Sequence, residues 1–188
     1  MLPSTSLNFA NFISESISKF SKNNAIGFID ETPITYEEMG KQISALKAFL
    51  EVLEIKQGDK VIIYSQNMPN WVLVYFAIQV LGIVVVPVLP DFNPHELENV
   101  IRHSGARAVF VSENLKSKLE KTNTGTVEVV IQIEDFKIVT PEKKHILFDP
   151  KAQSETFYIP EENELSILLY TSGTTGDSKG VILSQKNV

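Results

Sequence analysis

The chain has 188 residues, of which 43% are hydrophobic, and a formal net charge of −6. This content is enough to build a core and excludes a disordered chain, while the acidic balance argues against nonspecific nucleic-acid binding, which needs a basic surface. The sequence has no cysteine, which excludes disulfides, thiolate metal sites and a cysteine nucleophile and fits a cytoplasmic protein.

The first segment with a clear period is Asn8–Ser21. Apolar side chains recur there at helical spacing, which predicts an amphipathic helix whose aromatic stripe packs into the core. The stripe consists of Phe9, Phe12, Ile13, Ile17 and Phe20.

A short hairpin and a long helix are predicted next. The segments Ala25–Asp30 and Pro33–Thr35 have the pattern of two short strands. The string Thr35-x-x-Glu38 forms a capping box, so a helix is expected to begin at Tyr36. The apolar face of this helix comprises Met39, Ile43, Leu46, Leu50 and Leu53.

From residue 60 onwards, predicted strands and helices alternate. The strands are almost continuously apolar, which indicates a parallel sheet covered on both faces through right-handed crossovers. The expected fold class is therefore α/β, a doubly wound, mostly parallel sheet flanked by helices, in which ligands lie beyond the carboxyl ends of the strands. The predicted strands are Lys60–Tyr64, Ile83–Val88, Arg107–Val111 and Val127–Ile133, and the predicted helices are Pro69–Leu81 and Pro94–His103, with Asn93 as the cap of the second.

The segment Trp71–Leu89 is apolar and long enough to cross a bilayer on length alone. Gln79, Gly82 and Pro87 interrupt it and no lysine or arginine flanks it, so a buried helix followed by a buried strand is expected instead. The amino terminus has no basic segment followed by an apolar one, which argues against a signal peptide. A chain without a transmembrane segment is expected, and peripheral membrane contact and the oligomeric state are left open.

Residues 134–164 show no sustained period and are interpreted as an irregular connection with one short strand at Ile146–Phe148. His95, His103 and His145 are too far apart in the sequence to form a helical pair. Each histidine is expected to be a solvated surface side chain, and no metal site is predicted. No Ser/His/Asp set suggests a nucleophilic triad.

The most informative stretch is Tyr170-Thr-Ser-Gly-Thr-Thr-Gly-Asp-Ser-Lys-Gly180, set between the apolar runs Leu165–Leu169 and Val181–Leu183. Its glycines let backbone amides approach a ligand, its hydroxyls can donate hydrogen bonds, and Lys179 supplies its only positive charge. This composition is typical of a polyphosphate-binding loop between two strands. The alternative interpretation is a polar surface turn, which uses the same residue types.

Spacing excludes two familiar phosphate motifs. The P-loop requires glycine, four residues and then Gly-Lys-Ser/Thr, whereas Lys179 lies between Ser178 and Gly180. The β-branched residues Val181 and Ile182 favour a strand after the loop, where the P-loop has a helix. No G-x-G-x-x-G dinucleotide fingerprint is present.

The string Leu169–Val181 resembles the signature of the adenylate-forming (AMP-binding) superfamily, which includes acyl-CoA synthetases and the adenylation domains of peptide synthetases. It departs from that signature at Ser178, where the family most often has a proline that would fix φ and stiffen the loop. Weaker resemblances precede it in the same order as in the family, at Ile34–Met39, Gly58–Val61, Asn67–Pro69 and Leu81–Pro87.

The resemblance implies a fold and a chemistry. The fold would be the amino-terminal portion of the acetyl-CoA synthetase-like large domain, with residues 24–133 as its parallel α/β core and residues 165–184 as strand, phosphate loop and strand. The reaction would join a carboxylic acid to coenzyme A through acyl-AMP, with ATP and Mg²⁺ and without a nucleic-acid partner. Pro87–Phe92 and Ile101–Ala106 are most similar to the long-chain fatty acid branch. The resemblance assigns phosphate binding to Thr171, Ser172, Gly173, Thr174, Thr175, Gly176 and Lys179.

Ser184–Val188 predicts a helix cap and the first residues of a helix, so the chain is expected to be the amino-terminal fragment of a longer polypeptide. The family's catalytic residues lie in the segments that follow. No catalytic residue is therefore assigned here, and the chain alone is expected to be inactive. Two alternatives remain open: an amino-acid or aryl-acid adenylation domain of a peptide synthetase, and a nucleotide-binding module without catalysis.

Overall fold

The computed structural model describes residues 9–141, 145–154, 157–171 and 179–188. Within these residues the chain forms a seven-stranded sheet and a separate two-stranded antiparallel ribbon. The strands are β1 Asn24–Ile26, β2 Ile34–Thr35, β3 Lys60–Tyr64, β4 Val84–Val88, β5 Ala108–Val111, β6 Val129–Gln132, β7 Ile138–Thr140, β8 Leu165–Thr171 and β9 Lys179–Ser184. The helices are α1 Phe9–Lys19, α2 Tyr36–Val52, α3 Pro69–Gln79, α4 Pro94–Ser104 and α5 Lys116–Leu119, with 3₁₀ turns at Glu113–Leu115 and Gln185–Asn187.

The strand order of the large sheet is β7-β6-β5-β3-β4-β8-β9. Strand β3 pairs in parallel with β4 on one side and β5 on the other, and β8 and β6 continue the parallel arrangement outwards. The outermost strands β7 and β9 are antiparallel to their neighbours. The carboxyl ends of β3, β4, β5, β6 and β8 therefore share one edge of the sheet, which we call the carboxyl edge.

Apolar side chains cover both faces of the sheet. Successive residues of β3 alternate between two cores: Val61 and Ile63 pack under α1, α2 and α3, whereas Ile62 and Tyr64 pack under α4 and α5. This alternation follows from the two-residue period of a strand. The prediction of a doubly wound α/β sheet flanked by helices is confirmed.

Two helices begin at the caps that the sequence predicts, Thr35 and Asn93. The Glu38 amide donates to Thr35 Oγ1 at 3.2 Å, and the Thr35 amide donates to the Glu38 carboxylate at 2.8 Å. Asn93 Oδ1 accepts from the amides two and three residues later, both at 3.0 Å. Helix α4 ends on Gly105 with a φ of 64°, the left-handed conformation for which a glycine cap is favoured.

The apolar segment Trp71–Leu89 is divided between two elements, as predicted. Helix α3 ends at Gln79, and β4 begins at Val84 after a turn in which Gly82 has a φ of 68°. Within the described ranges, no helix combines the length and the apolar character that a bilayer span requires.

The aromatic stripe of α1 is only partly buried, contrary to the prediction. Ile13 is buried, but Phe12 is 64% and Phe20 41% exposed. Phe20 follows the last helical residue, Lys19, and the Phe12 ring lies edge-on to the ring of Phe9, at a centroid distance of 6.3 Å.

The connection between β6 and β8 also differs from the prediction. Ile146–Phe148 forms no strand; the strand in this region is Ile138–Thr140, which pairs with β6. Phe148 instead packs its ring edge-on against Phe49 and Phe136, at centroid distances of 5.7 and 4.8 Å. The apolar triplet that suggested a strand thus belongs to an irregular segment that packs on the core beside α2.

Candidate functional site

The candidate phosphate loop joins the last two strands of the sheet. Strand β8 ends at Thr171, β9 begins at Lys179, and the two residues are partners in the antiparallel register. Because β8 runs parallel to β4, Thr171 lies at the carboxyl edge. The two strands predicted on either side of the loop are therefore confirmed, and we call this unit the β8–β9 hairpin.

The structure describes part of the predicted phosphate-binding set. Thr171 is exposed at the end of β8, and the backbone of Lys179 opens β9. The remaining members of the set lie outside the described residues, so their roles stay predictions. They are Ser172, Gly173, Thr174, Thr175 and Gly176.

The element that follows the loop is a strand, as predicted. Residues of β9 from Lys179 to Ser184 pair with β8. A P-loop would lead instead into a helix, whose amino-terminal amides bind phosphate. Phosphate binding at this hairpin would therefore rely on loop amides, hydroxyls and Lys179.

A buried polar cluster fixes the base of the hairpin to α3. Gln79 and Ser166 are fully buried and Gln185 is 4% exposed. Ser166 Oγ donates to Gln79 Oε1 at 2.9 Å, and Gln79 Nε2 donates to the Ser166 carbonyl at 3.2 Å. Gln185 Nε2 donates to the same Gln79 oxygen at 3.0 Å, whereas Gln185 Oε1 is a buried acceptor without a partner among the described residues.

A second contact lies at the other end of β8. Tyr170 is 5% exposed, and its hydroxyl oxygen lies 2.6 Å from Nδ1 of His103 in the last turn of α4. The two rings are nearly perpendicular, with centroids 5.6 Å apart. Burial raises the pKa of Tyr170 to about 12, so the hydroxyl keeps its proton at neutral pH. His103 is exposed, as predicted, but its Nδ1 is hydrogen-bonded to protein and not to solvent.

The carboxyl ends of β3 and β5 carry polar groups that bond to one another. Ser112 Oγ lies 2.9 Å from Gln66 Oε1 and 2.7 Å from Asn114 Oδ1. The Glu113 amide donates to the Glu134 carboxylate at 2.9 Å. In the part of the chain that the structure describes, no three His, Cys, Asp or Glu side chains are arranged to hold a metal ion. Because the β8–β9 hairpin carries the two ends of the predicted phosphate loop at this same edge, the hairpin is the candidate site.

The contacts at the two ends of β8 were not predicted from the sequence. Gln79 and Ser166 each interrupt an apolar run, a pattern that can indicate a buried hydrogen-bonded pair. His103 and Tyr170 are 67 residues apart, and no local pattern relates them.

The amino-acid sequence is similar to a known protein family and to individual members of it. The model of the family described as AMP-binding enzyme matches residues 14–188. The long-chain-fatty-acid–CoA ligase of Bacillus subtilis is 27% identical over 214 aligned residues, which cover all of this chain and 38% of that protein. Long chain acyl-CoA synthetase 4 of Arabidopsis thaliana is 27% identical over 195, covering 92% of this chain and 29% of that protein. The chain thus spans well under half the length of these relatives.

Solved structures share the fold. The anthranilate CoA ligase AuaEII in complex with anthranoyl-AMP superposes with a TM-score of 0.82 at 20% identity, over 95% of this chain and 35% of that one. The NpsA N-terminal subdomain of Klebsiella oxytoca gives 0.75 at 23% identity, over 95% of this chain and 42% of that one. At these identities the likeness establishes the fold, which agrees with the predicted architecture.

Proposed function

Because this chain belongs to the family of AMP-binding enzymes, we propose that it is the amino-terminal part of an ATP-dependent acid–thiol ligase that makes acyl-CoA through an acyl-adenylate. The observation that carries the proposal is the β8–β9 hairpin. Its paired strands bring Thr171 and Lys179 together at the carboxyl edge. Ligands of doubly wound sheets bind at that edge.

The proposed reaction has two steps. In the first, a carboxylate oxygen attacks the α-phosphorus of ATP, the bond from that phosphorus to the bridging oxygen breaks, and pyrophosphate leaves. In the second, the sulfur of coenzyme A attacks the acyl carbon, the bond to AMP breaks, and the thiol proton is released. The first step gives a poor acyl donor a good leaving group. Positioning and charge stabilisation supply most of the rate in such chemistry.

The hairpin loop would act on the first step. Amides and hydroxyls from Thr171 to Gly176 would donate to the β- and γ-phosphates, and Lys179 would offset the charge of the departing pyrophosphate. Mg²⁺ would accompany the nucleotide and neutralise part of its charge. Among the described residues, no three His, Cys, Asp or Glu side chains are arranged to hold a metal ion, and we assign no step to Mg²⁺.

We further propose a long-chain fatty acid as the carboxylate substrate. Relatives named as long-chain ligases or synthetases match between 82% and 100% of the chain. An aryl acid or an amino acid is the second candidate, because 4-coumarate–CoA ligase CCL1 of Humulus lupulus is 28% identical over 183 residues and one solved neighbour is an adenylation–PCP di-domain.

Acid-dependent exchange between ATP and pyrophosphate, catalysed by the protein at its full natural length, tests the proposal. Short, medium and long fatty acids would be compared with aryl acids and amino acids. Exchange driven by long fatty acids supports the ligase and its substrate. Exchange driven only by aryl or amino acids supports the adenylation domain, and ATP binding without any exchange leaves a non-catalytic module.

The role of Lys179 is tested by Lys179→Ala in the same protein. A charge-assisted contact of about 1.5–3 kcal/mol corresponds to adenylate formation slowed roughly tenfold to a hundredfold, with little change in melting temperature. Lys186→Ala is the control, because this lysine is 69% exposed and lies 4.0 Å from the Glu162 carboxylate, outside the predicted phosphate-binding set. Parallel losses of rate and melting temperature, or an equal rate loss in the control, would contradict the assignment.

A further inference from the structure

Tyr170 is a buried residue at the end of β8, immediately before the candidate loop begins. Tyr170 is the residue before Thr171, with which β8 ends. Its ring belongs to the core under α4, and its hydroxyl is 2.6 Å from His103 Nδ1. The side chain therefore connects the point where the chain leaves the sheet to a helix on one face of that sheet.

The same ring also contacts the returning strand. Tyr170 and Gly180 are register partners in β8 and β9. A Cβ at Gly180 would lie 3.4 and 3.5 Å from two atoms of the Tyr170 ring and 3.3 Å from Leu168. The two distances to the ring are those of ordinary van der Waals contact, so the Tyr170 ring lies against β9 at Gly180 as well as against His103 of α4. This side chain of β8 thus lies beside both the returning strand and the helix on this face of the sheet.

Helix α4 is a firm support for this contact. Its first turn is closed by the Asn93 capping box, its end by Gly105, and its inward face buries Leu97, Val100 and Ile101. His103 lies in the last turn of this helix. A side chain that is hydrogen-bonded to His103 is therefore attached to a helix that is capped at both ends and packed along one face.

The chemistry of the pair keeps the contact in either protonation state of the histidine. When the imidazole is neutral, the Tyr170 hydroxyl donates to Nδ1 and the ring carries its proton on Nε2. When the imidazole is protonated, Nδ1–H donates to the hydroxyl oxygen instead. The high pKa of Tyr170 keeps the hydroxyl available as a donor.

We propose that His103 is a positioning residue for the phosphate loop: it holds Tyr170 and thereby sets the position at which the loop leaves β8 and enters β9. This inference rests on the proposed function, because the ligand whose phosphates the loop would receive is ATP. His103 itself contacts Tyr170 and is not placed against substrate.

Steady-state exchange kinetics of the full-length protein test this role. His103→Ala and Tyr170→Phe are each expected to raise the KM for ATP roughly fivefold, the effect of losing one hydrogen bond that orders the binding loop. The double variant is expected to be no worse than either single variant, because both changes remove the same contact. His103→Asn, whose amide lies as many bonds from Cα as Nδ1 does, is expected to restore the KM to within about twofold.

Two controls separate positioning from stability. His95→Ala removes an exposed histidine from the same helix, one whose contact is with Asn99 at 3.4 Å, and is expected to leave the KM unchanged. Asn93→Ala weakens α4 at its other end and is expected to lower the melting temperature without raising the KM. If Asn93→Ala raises the KM as much as His103→Ala does, or if the effects of His103→Ala and Tyr170→Phe add, the positioning role is overturned.

Nitrogen NMR of the imidazole rings provides a readout that does not depend on activity. The expected result is an Nδ1 signal of His103 that moves in Tyr170→Phe and does not move in Lys186→Ala. An Nδ1 signal that is the same in wild type and in Tyr170→Phe would show that the two side chains are not hydrogen-bonded. A wild-type protein that shows the contact but neither binds Mg-ATP nor exchanges pyrophosphate would overturn the proposed function. Normal exchange with an unchanged KM in His103→Ala would overturn only the role given to His103.

Discussion

Single residues at the base of the hairpin show how a buried polar group is retained. A buried donor or acceptor left without a partner costs about 1–3 kcal/mol, so such groups persist where they are paired. Gln79 makes three of these bonds, two with Ser166 and one with Gln185. Gln185 contributes one donor and keeps one acceptor that has no partner within the described residues. Loss of the Gln79 side chain would therefore leave more buried groups without a partner than loss of the Gln185 side chain.

Replacing each glutamine by methionine tests this inequality. Gln79→Met leaves two groups of Ser166 and one of Gln185 unpaired, and we expect the free energy of unfolding to fall by about 3–5 kcal/mol. Gln185→Met removes one bond together with the unpaired acceptor, so a loss within about 1 kcal/mol is expected. Urea unfolding of both variants measures the difference. Equal losses would mean that Gln79 does not organise the cluster.

The ion pairs of Glu37 are expected to make the stability of the protein depend on pH. It pairs with Lys22 and Lys41, and hydrogen bonds from Lys22 first and Lys41 second lower its pKa to about 2 from 4.5. A carboxyl group with a lowered folded-state pKa stabilises the fold above its unfolded pKa and loses that effect as the pH falls through the folded value. We expect wild type to melt above Glu37→Gln near neutral pH.

The difference should disappear between pH 4.5 and about 2, the window set by the two pKa values. It should also shrink in high salt, because exposed charges are screened. Thermal melts of the two proteins across this pH range measure the effect. A gap in melting temperature that persists in acid below this window would mean that Glu37 stabilises the protein by something other than its charge.

At the scale of elements, α4 combines a local start signal with a long-range contact. Asn93→Ala removes the acceptor of two amides, and we expect the free energy of unfolding to fall by about 1 kcal/mol. Asn93→Asp keeps an acceptor at the cap and should remain within a few tenths of a kcal/mol of wild type. Urea titration followed by circular dichroism compares them. If both variants lose the same stability, the cap is not what Asn93 contributes.

The elements also show what the sequence could predict. Capping boxes and apolar periods involve residues a few positions apart, so the start of α2, the helices α3 and α4 and the strands from β3 to β6 were predicted to within about two residues. The strand predicted at Ile146–Phe148 was wrong. Phe148 packs against Phe49 and Phe136, and neither residue is close enough in the sequence for a local pattern to reveal the contact. The strands beside the phosphate loop were predicted for the same local reason, whereas the contact between His103 and Tyr170 depends on the folded topology.

At the scale of the whole molecule, the polypeptide between β7 and β8 connects the outer strand at one edge of the sheet to the hairpin at the other. The described residues of this crossing are hydrogen-bonded to α2 and to the turn between α3 and β4. The Ser154 amide donates to Ser44 Oγ at 2.9 Å, and Ser44 Oγ donates back to the Ser154 carbonyl at 3.1 Å. Further on, the Tyr158 amide donates to the Val80 carbonyl at 2.8 Å, and the Tyr158 hydroxyl donates to Glu164 at 2.7 Å. Tyr158 thus fixes this crossing to the turn between α3 and β4.

Two glycines with the same backbone conformation test the importance of this crossing. Gly82 and Gly105 have φ angles of 68° and 64°. A Cβ at Gly105 would meet nothing within 4 Å, whereas a Cβ at Gly82 would lie 2.4 Å from the Tyr158 ring. We expect Gly105→Ala to cost about 1–2 kcal/mol for the left-handed backbone alone. Gly82→Ala should cost a further 1–3 kcal/mol, because the Tyr158 ring must move away from an overpacked contact.

Urea unfolding of both variants measures the difference, and Tyr158→Ala supplies the control. Removing the ring removes the two shortest contacts, so Gly82→Ala combined with Tyr158→Ala should cost less than the sum of the two single changes. Gly105→Ala combined with Tyr158→Ala should be additive, because a Cβ at residue 105 would touch nothing. If the losses of unfolding free energy are additive for Gly82→Ala and Tyr158→Ala as well, the Tyr158 ring does not pack closely against this turn. The path of the crossing would then depend on Ser44 and Ser154, whose hydrogen bonds hold it to α2.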